Sequence, residues 1–555
     1  MKYNSERSHR RRCAWKGGPL ADRPNFLIII TDQQRGDALG CAWPQWRDGG
    51  GQAAGAVLQT PNLDRLAAEG VRLTRAYVNN PLCMPSRSTL LTGLTPRGHG
   101  VRTNGINLDP RLPTITGALA AAGYRTHSVG KIHTRIFGLP NGVDPETLDP
   151  QEYPESAWMW HHGKISHLPE PYYGFQTTEW TGGHGSGVYG DYIAWLRREH
   201  PEALPLLRRE AGTPAASGAE QSYRMAIPPE LHYTTWVADR TIAFLERAAP
   251  EAGHRPFMVW ASFPDPHHPF ATPDPWYSMY DRAAVPLPVR REGELDDLAP
   301  FFREIYERPL PLSGRRAPTR MPDEQLREII AITYGMISFV DQQVGRILAV
   351  LDRLGLRDDT VVVFTSDHGD LLGDHWLMNK GPFHFDGLLN VPGIWRYPRR
   401  FPAGRVSSAL ASHLDVAPTL LELAGVPVPE SGPLWPAASP ETSRMMAPWP
   451  GRSLVPVLTG ERDRVQDAVV VENDEDYLGL RLRTLITETH QLTTYVGDDG
   501  EQPFGELFDL RRDPGQLHNL WQAPEARALK LELKERLLAE LVRTDNRLPR
   551  RLCHA

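Results

Sequence analysis

The clearest pattern in the chain is an unbroken run of apolar, largely β-branched residues, Asn25-Phe-Leu-Ile-Ile-Ile-Thr31, which stops at Asp32. A run without alternation suits a strand buried on both faces of a parallel sheet. The period then turns helical. Residues 60–70 predict a helix with Thr60 as N-cap, Pro61 in the first turn and Gly70 as the stop. A helix over 114–122 halts at Gly123 and feeds a strand over 124–129 that closes on Gly130-Lys131. A helix over about 233–249 precedes a strand over 256–263, and a long amphipathic helix over about 323–354, closed by Gly355, precedes a strand over 360–365. This order predicts an α/β domain on a mostly parallel central sheet flanked by helices.

After Leu420 the pattern breaks. Pro427, Pro429, Pro433, Pro436, Pro440, Pro448 and Pro450 mark a surface connector, beyond which strands at 468–471, 484–487 and 492–496 and a helix over 526–542 predict a smaller C-terminal α+β subdomain. The organisation is therefore a disordered tail over 1–23, an α/β domain over 24–425, a proline-rich connector over 426–460 and the subdomain over 461–555.

Composition narrows the function. The 555 residues carry a net charge of −6, which argues against a nucleic-acid binder or a polybasic membrane clamp. With 40% hydrophobic and 23% charged residues the chain can bury a large core, while 48 Gly and 51 Pro imply many shaped loops. Four cysteines, Cys13, Cys41, Cys83 and Cys553, show no disulfide or zinc spacing and fit a reducing compartment. The basic residues 1–23 lack the apolar core of a secretory signal, and 26–30 is too short to cross a bilayer. A cytoplasmic protein with neither a nucleic-acid nor a membrane partner is expected.

The chemistry gathers behind the strands, where ligands bind in open α/β sheets. Four predicted strands deliver Asp32-Gln33, Lys131-x-His133, His267-His268 and Asp367-His368. One such dipeptide is ordinary turn chemistry; four of them converge. In Cys83-Met84-Pro85-Ser86-Arg87, Pro85 sits in the first turn of a helix running toward Gly93, placing Cys83 at a helix N-terminus that favours an anion. The ordinary fate of a free cysteine is that of a small buried hydrophobe. Gly185-Ser-Gly187-Val-Tyr-Gly190 fits G-x-G-x-x-G, but no clear strand precedes it, and it reads as a glycine-rich loop. His161-His162 reads as exposed loop. Trp158, Trp160, Tyr172, Tyr173 and Trp180 form an aromatic segment that either stacks on a substrate ring or packs its own small core. Residues 292–320 read as an insertion near the mouth of the site.

At these residues the chain resembles the sulfatase family of the alkaline-phosphatase-like superfamily. Cys83-Met84-Pro85-Ser86-Arg87 matches C-x-P-S-R, and Gly123-Tyr124-Arg125-Thr126-His127-Ser128-Val129-Gly130-Lys131-Ile132-His133 matches G-Y-x-T-x-x-x-G-K-x-H. Asp265-Pro266-His267-His268-Pro269, Thr365-Ser366-Asp367-His368-Gly369-Asp370 with Lys380, and Glu506-Leu507-Phe508-Asp509-Leu510 continue the resemblance from Asn25 to Trp521.

The resemblance implies that a separate maturation enzyme oxidises Cys83 to formylglycine (3-oxoalanine). It also implies that Asp32, Gln33, Asp367, His368 and modified Cys83 hold one divalent metal, with calcium first and manganese or magnesium as alternatives. A hydroxyl of the hydrated aldehyde then attacks sulfur, the alcohol leaves, and the second hydroxyl expels sulfate. Arg87 and Lys131 would hold nucleophile and sulfate, Lys380 and His267 would bind sulfate oxygens and assist the leaving alcohol, and His133 would be the base for elimination.

Departures also appear. Met84 and Ile132 differ from the usual small and aromatic residues, and the Gln33 and His368 pairing resembles choline sulfatases and phosphonate monoester hydrolases. The expected activity is hydrolysis of a small-molecule or carbohydrate sulfate ester. Phosphonate monoester or phosphodiester hydrolysis is the alternative enzyme reading, and a silent binding homologue with unmodified Cys83 is the alternative of another class.

Overall fold

A computed structural model describes residues 23–42, 58–288, 290–307, 321–426, 450–476, 478–497, 500 and 504–545. Residues 1–22 of the expected tail and Pro427 to Pro448 of the expected connector lie outside them, as do residues 308–320 of the expected insertion.

In chain order the strands are β1 (Asn25–Thr31), β2 (Val71–Tyr77), β3 (Arg125–Gly130), β4 (Thr177–Gly182), β5 (Tyr189–Gly190), β6 (Thr213–Pro214), β7 (Ser222–Arg224), β8 (Phe257–Ser262), β9 (Phe270–Thr272), β10 (Thr360–Ser366), β11 (Ile394–Arg396) and β12 (Arg405–Ser412). Four more, β13 (Ala468–Glu475), β14 (Leu480–Thr487), β15 (His490–Gly497) and β16 (Gly505–Asp509), form a separate antiparallel sheet. The central sheet has nine strands in the order β12-β2-β11-β10-β1-β8-β3-β4-β5, and β6, β7 and β9 form a small third sheet.

The α/β expectation holds, with two departures from a parallel sheet: β11 runs antiparallel to both its neighbours, and β5 to β4. β1 is buried along its whole length because helices cover both faces. Phe26, Ile28 and Ile30 pack with Leu90, Leu91, Ile115 and Leu420 on one side, while Leu27 and Ile29 pack with Leu66, Val237 and Val340 on the other. Each fully buried side chain of this kind is worth roughly 1.5–3 kcal/mol, so the run that opens the domain also anchors it.

Register decides what happens at the strand ends. β1 pairs in parallel with β10 on one side and β8 on the other, Thr31 opposite Ser366 and Ile30 opposite Ser262. β3 pairs with β8, Gly130 opposite Ser262. The chain therefore leaves β10, β1, β8 and β3 at one level, and those four neighbours are the strands that carry the candidate residues.

The C-terminal sheet alternates in its packing as a two-faced sheet must. Ala468 and Val470 face the helix Arg527–Arg543, whereas Val469 and Val471 face Tyr77, Val78 and Leu389 of the larger domain. Asn79 Nδ2 donates to Val470 O at 2.9 Å and Asn80 Nδ2 to Glu472 O at 2.7 Å, tying this sheet to the turn just ahead of Cys83.

Candidate active site

The helix Cys83–Thr92 is buried at every position and ends on Gly93, whose φ of 65° is the left-handed cap that glycine adopts without strain. Its start is set from outside the helix: Asn80 Oδ1 accepts from Leu82 N at 2.9 Å, and Asn104 Oδ1 from Met84 N at 3.0 Å. Cys83, 2% exposed, thus sits at the N-terminus of this helix and against the strand ends. Its Sγ lies 3.1 Å from His368 Nε2, 2.9 Å from Lys380 Nζ and 3.9 Å from Asp32 Oδ1. Burial, the largest cause, pushes the thiol up, but Lys380, Lys131 and His368 together leave it below its ordinary value.

Asp32, Cys83, Asp367 and His368 bring one ligand atom each within 4.8 Å of one another, and all four are buried. The carboxylates are divided in their duties. Asp32 Oδ1 and Asp367 Oδ1 each lie 3.7 Å from His368 Nε2 and face the cluster, while the outer oxygens face cations. Asp32 Oδ2 pairs with the Lys131 ammonium and, at 3.4 Å, with Arg87 Nη2; Asp367 Oδ2 takes Arg87 Nε at 2.7 Å. Arg87 also donates to Lys131 O at 3.0 Å and Ser262 Oγ at 2.9 Å. Burial raises both carboxyls, but the surrounding cations together, Lys131 foremost for Asp32 and Arg87 foremost for Asp367, hold them below the usual carboxylate range. Two anions thus face one small volume with their rear oxygens locked, as a cation site requires.

Gln33 fits that site. Its Nε2 donates to Asp370 Oδ2 at 2.6 Å, which fixes the amide, and its buried Oε1 has no partner. The residue holds a φ of 70°, and His133 one of 59°, left-handed conformations that non-glycine residues rarely adopt and that gather at functional sites. Two carboxylates, an amide oxygen and an imidazole suit a divalent ion of the harder kind.

The remaining expected residues meet here too. His267 Nε2 is 2.9 Å from Lys380 Nζ, and Lys380 Nζ is 2.9 Å from His368 Nε2. His133 stacks on Phe137 at 3.8 Å, and its buried Nδ1 has no partner. Burial, aided by Lys131 and Arg87, keeps its imidazole well below the ordinary value and favours the neutral ring.

Other residues of the site carried no expected role. His184 places Nε2 2.8 Å from Lys131 Nζ and 3.3 Å from Asp32 Oδ2, and its ring stacks on His267 at 3.6 Å. With Asp32 and His267 it forms a second group of donors within 4.8 Å, in which both imidazoles face lysines, as His368 Nε2 does in the first group. Ser86 and Ser262 hold Asp367 O and Arg87, respectively. Glu155 accepts from Thr134 N at 3.1 Å and Arg135 N at 3.2 Å, bracing the loop that carries His133. The glycine-rich reading needs one correction: β4 does precede Gly185, but it leads to a short turn paired back through β5. That turn presents His184, and a histidine between glycines was its signal in the sequence. Most of the aromatic segment packs inward, with Trp160 on Trp180 at 5.2 Å and Tyr172 and Tyr173 in the core, whereas half-buried Trp158 stacks on exposed His162 at 4.2 Å. His161 and His162 are exposed.

Comparison with known proteins gives a consistent picture. The Sulfatase family profile matches residues 24–426. The chain is 26% identical over 526 residues to an arylsulfatase of Clostridium perfringens, covering 94% of each protein. It is 28% identical over 506 residues to a choline-sulfatase of Rhizobium meliloti, covering 90% of this chain and 83% of that one. Among solved structures it is similar to a phosphonate monoester hydrolase of Agrobacterium radiobacter, with a TM-score of 0.74 at 29% identity over 95% of this chain and 97% of the other. The phosphonate monoester hydrolase SpPMH of Silicibacter pomeroyi gives 0.72 at 26% identity, over 94% and 96%.

Proposed function

The chain belongs to the sulfatase family, and from that premise we propose that it hydrolyses a sulfate monoester to an alcohol and inorganic sulfate, with Cys83 matured to formylglycine as the nucleophile. One observation carries this reading: Cys83, at a helix N-terminus, closes a buried ring of Asp32, Asp367 and His368, with Lys131 and His133 beside it. A sulfate ester resists attack because its anionic oxygens repel the nucleophile, so positioned cations are what the reaction needs.

A divalent ion, calcium first, would be held by Asp32, Gln33, Asp367 and His368 and would polarise the nucleophilic oxygen. The hydrated aldehyde would supply one hydroxyl for attack and a second to release sulfate. Everything else falls to the chain. Arg87 and Lys131 lock the rear oxygens of the carboxylates and present positive charge to the ester oxygens; Lys380 and His267, hydrogen-bonded to each other, face the leaving alcohol; neutral His133 takes the proton that frees the product.

Cleavage of a phosphonate monoester is the second reading. The Gln33 and His368 pair and the similarity to two phosphonate monoester hydrolases favour it; the Lys131-x-His133 arrangement favours sulfate. Tandem mass spectrometry of the Cys83 peptide should find sulfur lost and a carbonyl gained, and an unmodified thiol would leave a binding homologue. Across matched sulfate and phosphonate esters, kcat/KM should be higher for sulfate; the reverse order would transfer the assignment.

A further inference from the structure

His184 Nε2 lies 2.8 Å from Lys131 Nζ, just as His267 Nε2 lies 2.9 Å from Lys380 Nζ, and the two rings are stacked with centroids 3.6 Å apart and planes 10° apart. A lysine ammonium offers only donors, so at these shorter contacts each Nε2 accepts from its lysine and the ring proton sits on Nδ1, although His184 Nε2 also stands 3.3 Å from Asp32 Oδ2. The His267 Nδ1 proton has its acceptor in the His268 carbonyl. Lys131 is fully buried, and its ammonium is shared between Asp32 Oδ2 and His184. Without the imidazole, the ammonium would be left to Asp32 alone.

The loop is built around this side chain. Gly183 and Gly185 flank it with φ of 75° and 54°, and a Cβ at these positions would meet Gly187 O at 2.1 Å and Pro269 Cγ at 2.5 Å. The adjacent Ser186 is tied by its Oγ to Tyr223 Oη at 2.9 Å. Backbone shape and anchoring thus converge on aiming one ring at Lys131.

We propose that His184 is a positioning residue: its Nε2 gives the Lys131 ammonium a second partner beside Asp32 and, through the stack on His267, orients that ammonium with Lys380 so that a tetrahedral oxyanion is held between the two cations. This rests on the reading of the site as an anionic-ester hydrolase, and its test is independent of turnover. Two variants of the metal-loaded full chain separate the features of the ring, since His184→Phe keeps the flat stack without an acceptor and His184→Gln keeps an acceptor without the stack. Binding of inorganic sulfate and of inorganic phosphate is measured by titration calorimetry, beside kcat, KM and the melting temperature.

His184→Phe should weaken anion binding by about 10–100-fold and raise KM more than it lowers kcat, at an unchanged melting temperature. His184→Gln should recover most of the binding. Sulfate held by His184→Phe as tightly as by the parent chain, a folded His184→Gln no better than His184→Phe, or no anion binding by the parent chain would each overturn the proposal. A parent that binds both anions but turns over no sulfate ester would instead refute the proposed function and leave this measurement standing.

Discussion

Arg87 has no exposure, and its guanidinium bridges Asp32 and Asp367. Removing one partner of a buried pair costs about 3–5 kcal/mol, because the other charge stays behind unpaired. Arg87→Ala should therefore lower stability of the metal-free protein by that order in urea melts, and kcat/KM by about 10²–10³-fold. The same logic predicts that a divalent ion raises the melting temperature of the parent in proportion to the logarithm of its concentration, and that Asp367→Asn loses most of that rise, readable by calorimetry. Residues at this scale were legible where a strand's hydrophobic run ended on a polar pair, as at Asp32 and Asp367. His184 and Glu155 were not, because they come from the long segment between β3 and β8, where no periodicity says which loop turns back toward the site.

Elements aim these residues, and glycine sets one of the angles. Gly130 ends β3 with φ of 87°, and a Cβ there would sit 2.0 Å from Ser262 O across the β3–β8 pair. Gly130→Ala should push the two strands apart where Lys131 leaves the sheet, lowering both the melting temperature and kcat/KM. Thr114 offers a contrast. Its side chain caps the helix Ile115–Ala121 by accepting from Gly117 N, so Thr114→Ala should cost about 1 kcal/mol in denaturant titrations and leave kcat/KM unchanged. The strands β1, β8 and β10 were readable as continuous apolar runs, whereas β2 and β12 mix Arg, Thr and Ser into half-covered positions and β11 spans only Ile394–Arg396. A short or polar strand carries too little pattern to announce itself, and its place comes from its neighbours.

For the whole molecule, buried carboxyls in both parts of the chain tie stability to pH. Burial pushes Glu506 of β16 from its ordinary 4.5 up to about 8, opposed by the Tyr495 hydroxyl that donates to it at 2.8 Å, and pushes Asp265 up to about 7. A folded-state value above the unfolded one means that the folded state binds more protons inside the window, so stability is full below about 4.5 and is lost as pH rises through about 8. Glu506→Gln should match the parent melting temperature at pH 4 and exceed it at pH 8, and equal temperatures at both would contradict this. The alternation of α and β gave the class of the larger domain, but not the order of its nine strands, which depends on long-range pairing that no local window contains.

That long-range pairing has a consequence for how the protein is made. Gln33 N donates to Asp367 Oδ1 across 334 positions of the polypeptide, so a ribosome that has released the first strand still has most of its message to translate before the opposing carboxylate exists. Half of the candidate ligand set leaves the exit tunnel early and waits for the other half, and a translation product ending before β10 lacks Asp367 and His368. The candidate ligand set is thus complete only once residue 368 is made, with the C-terminal sheet still to come.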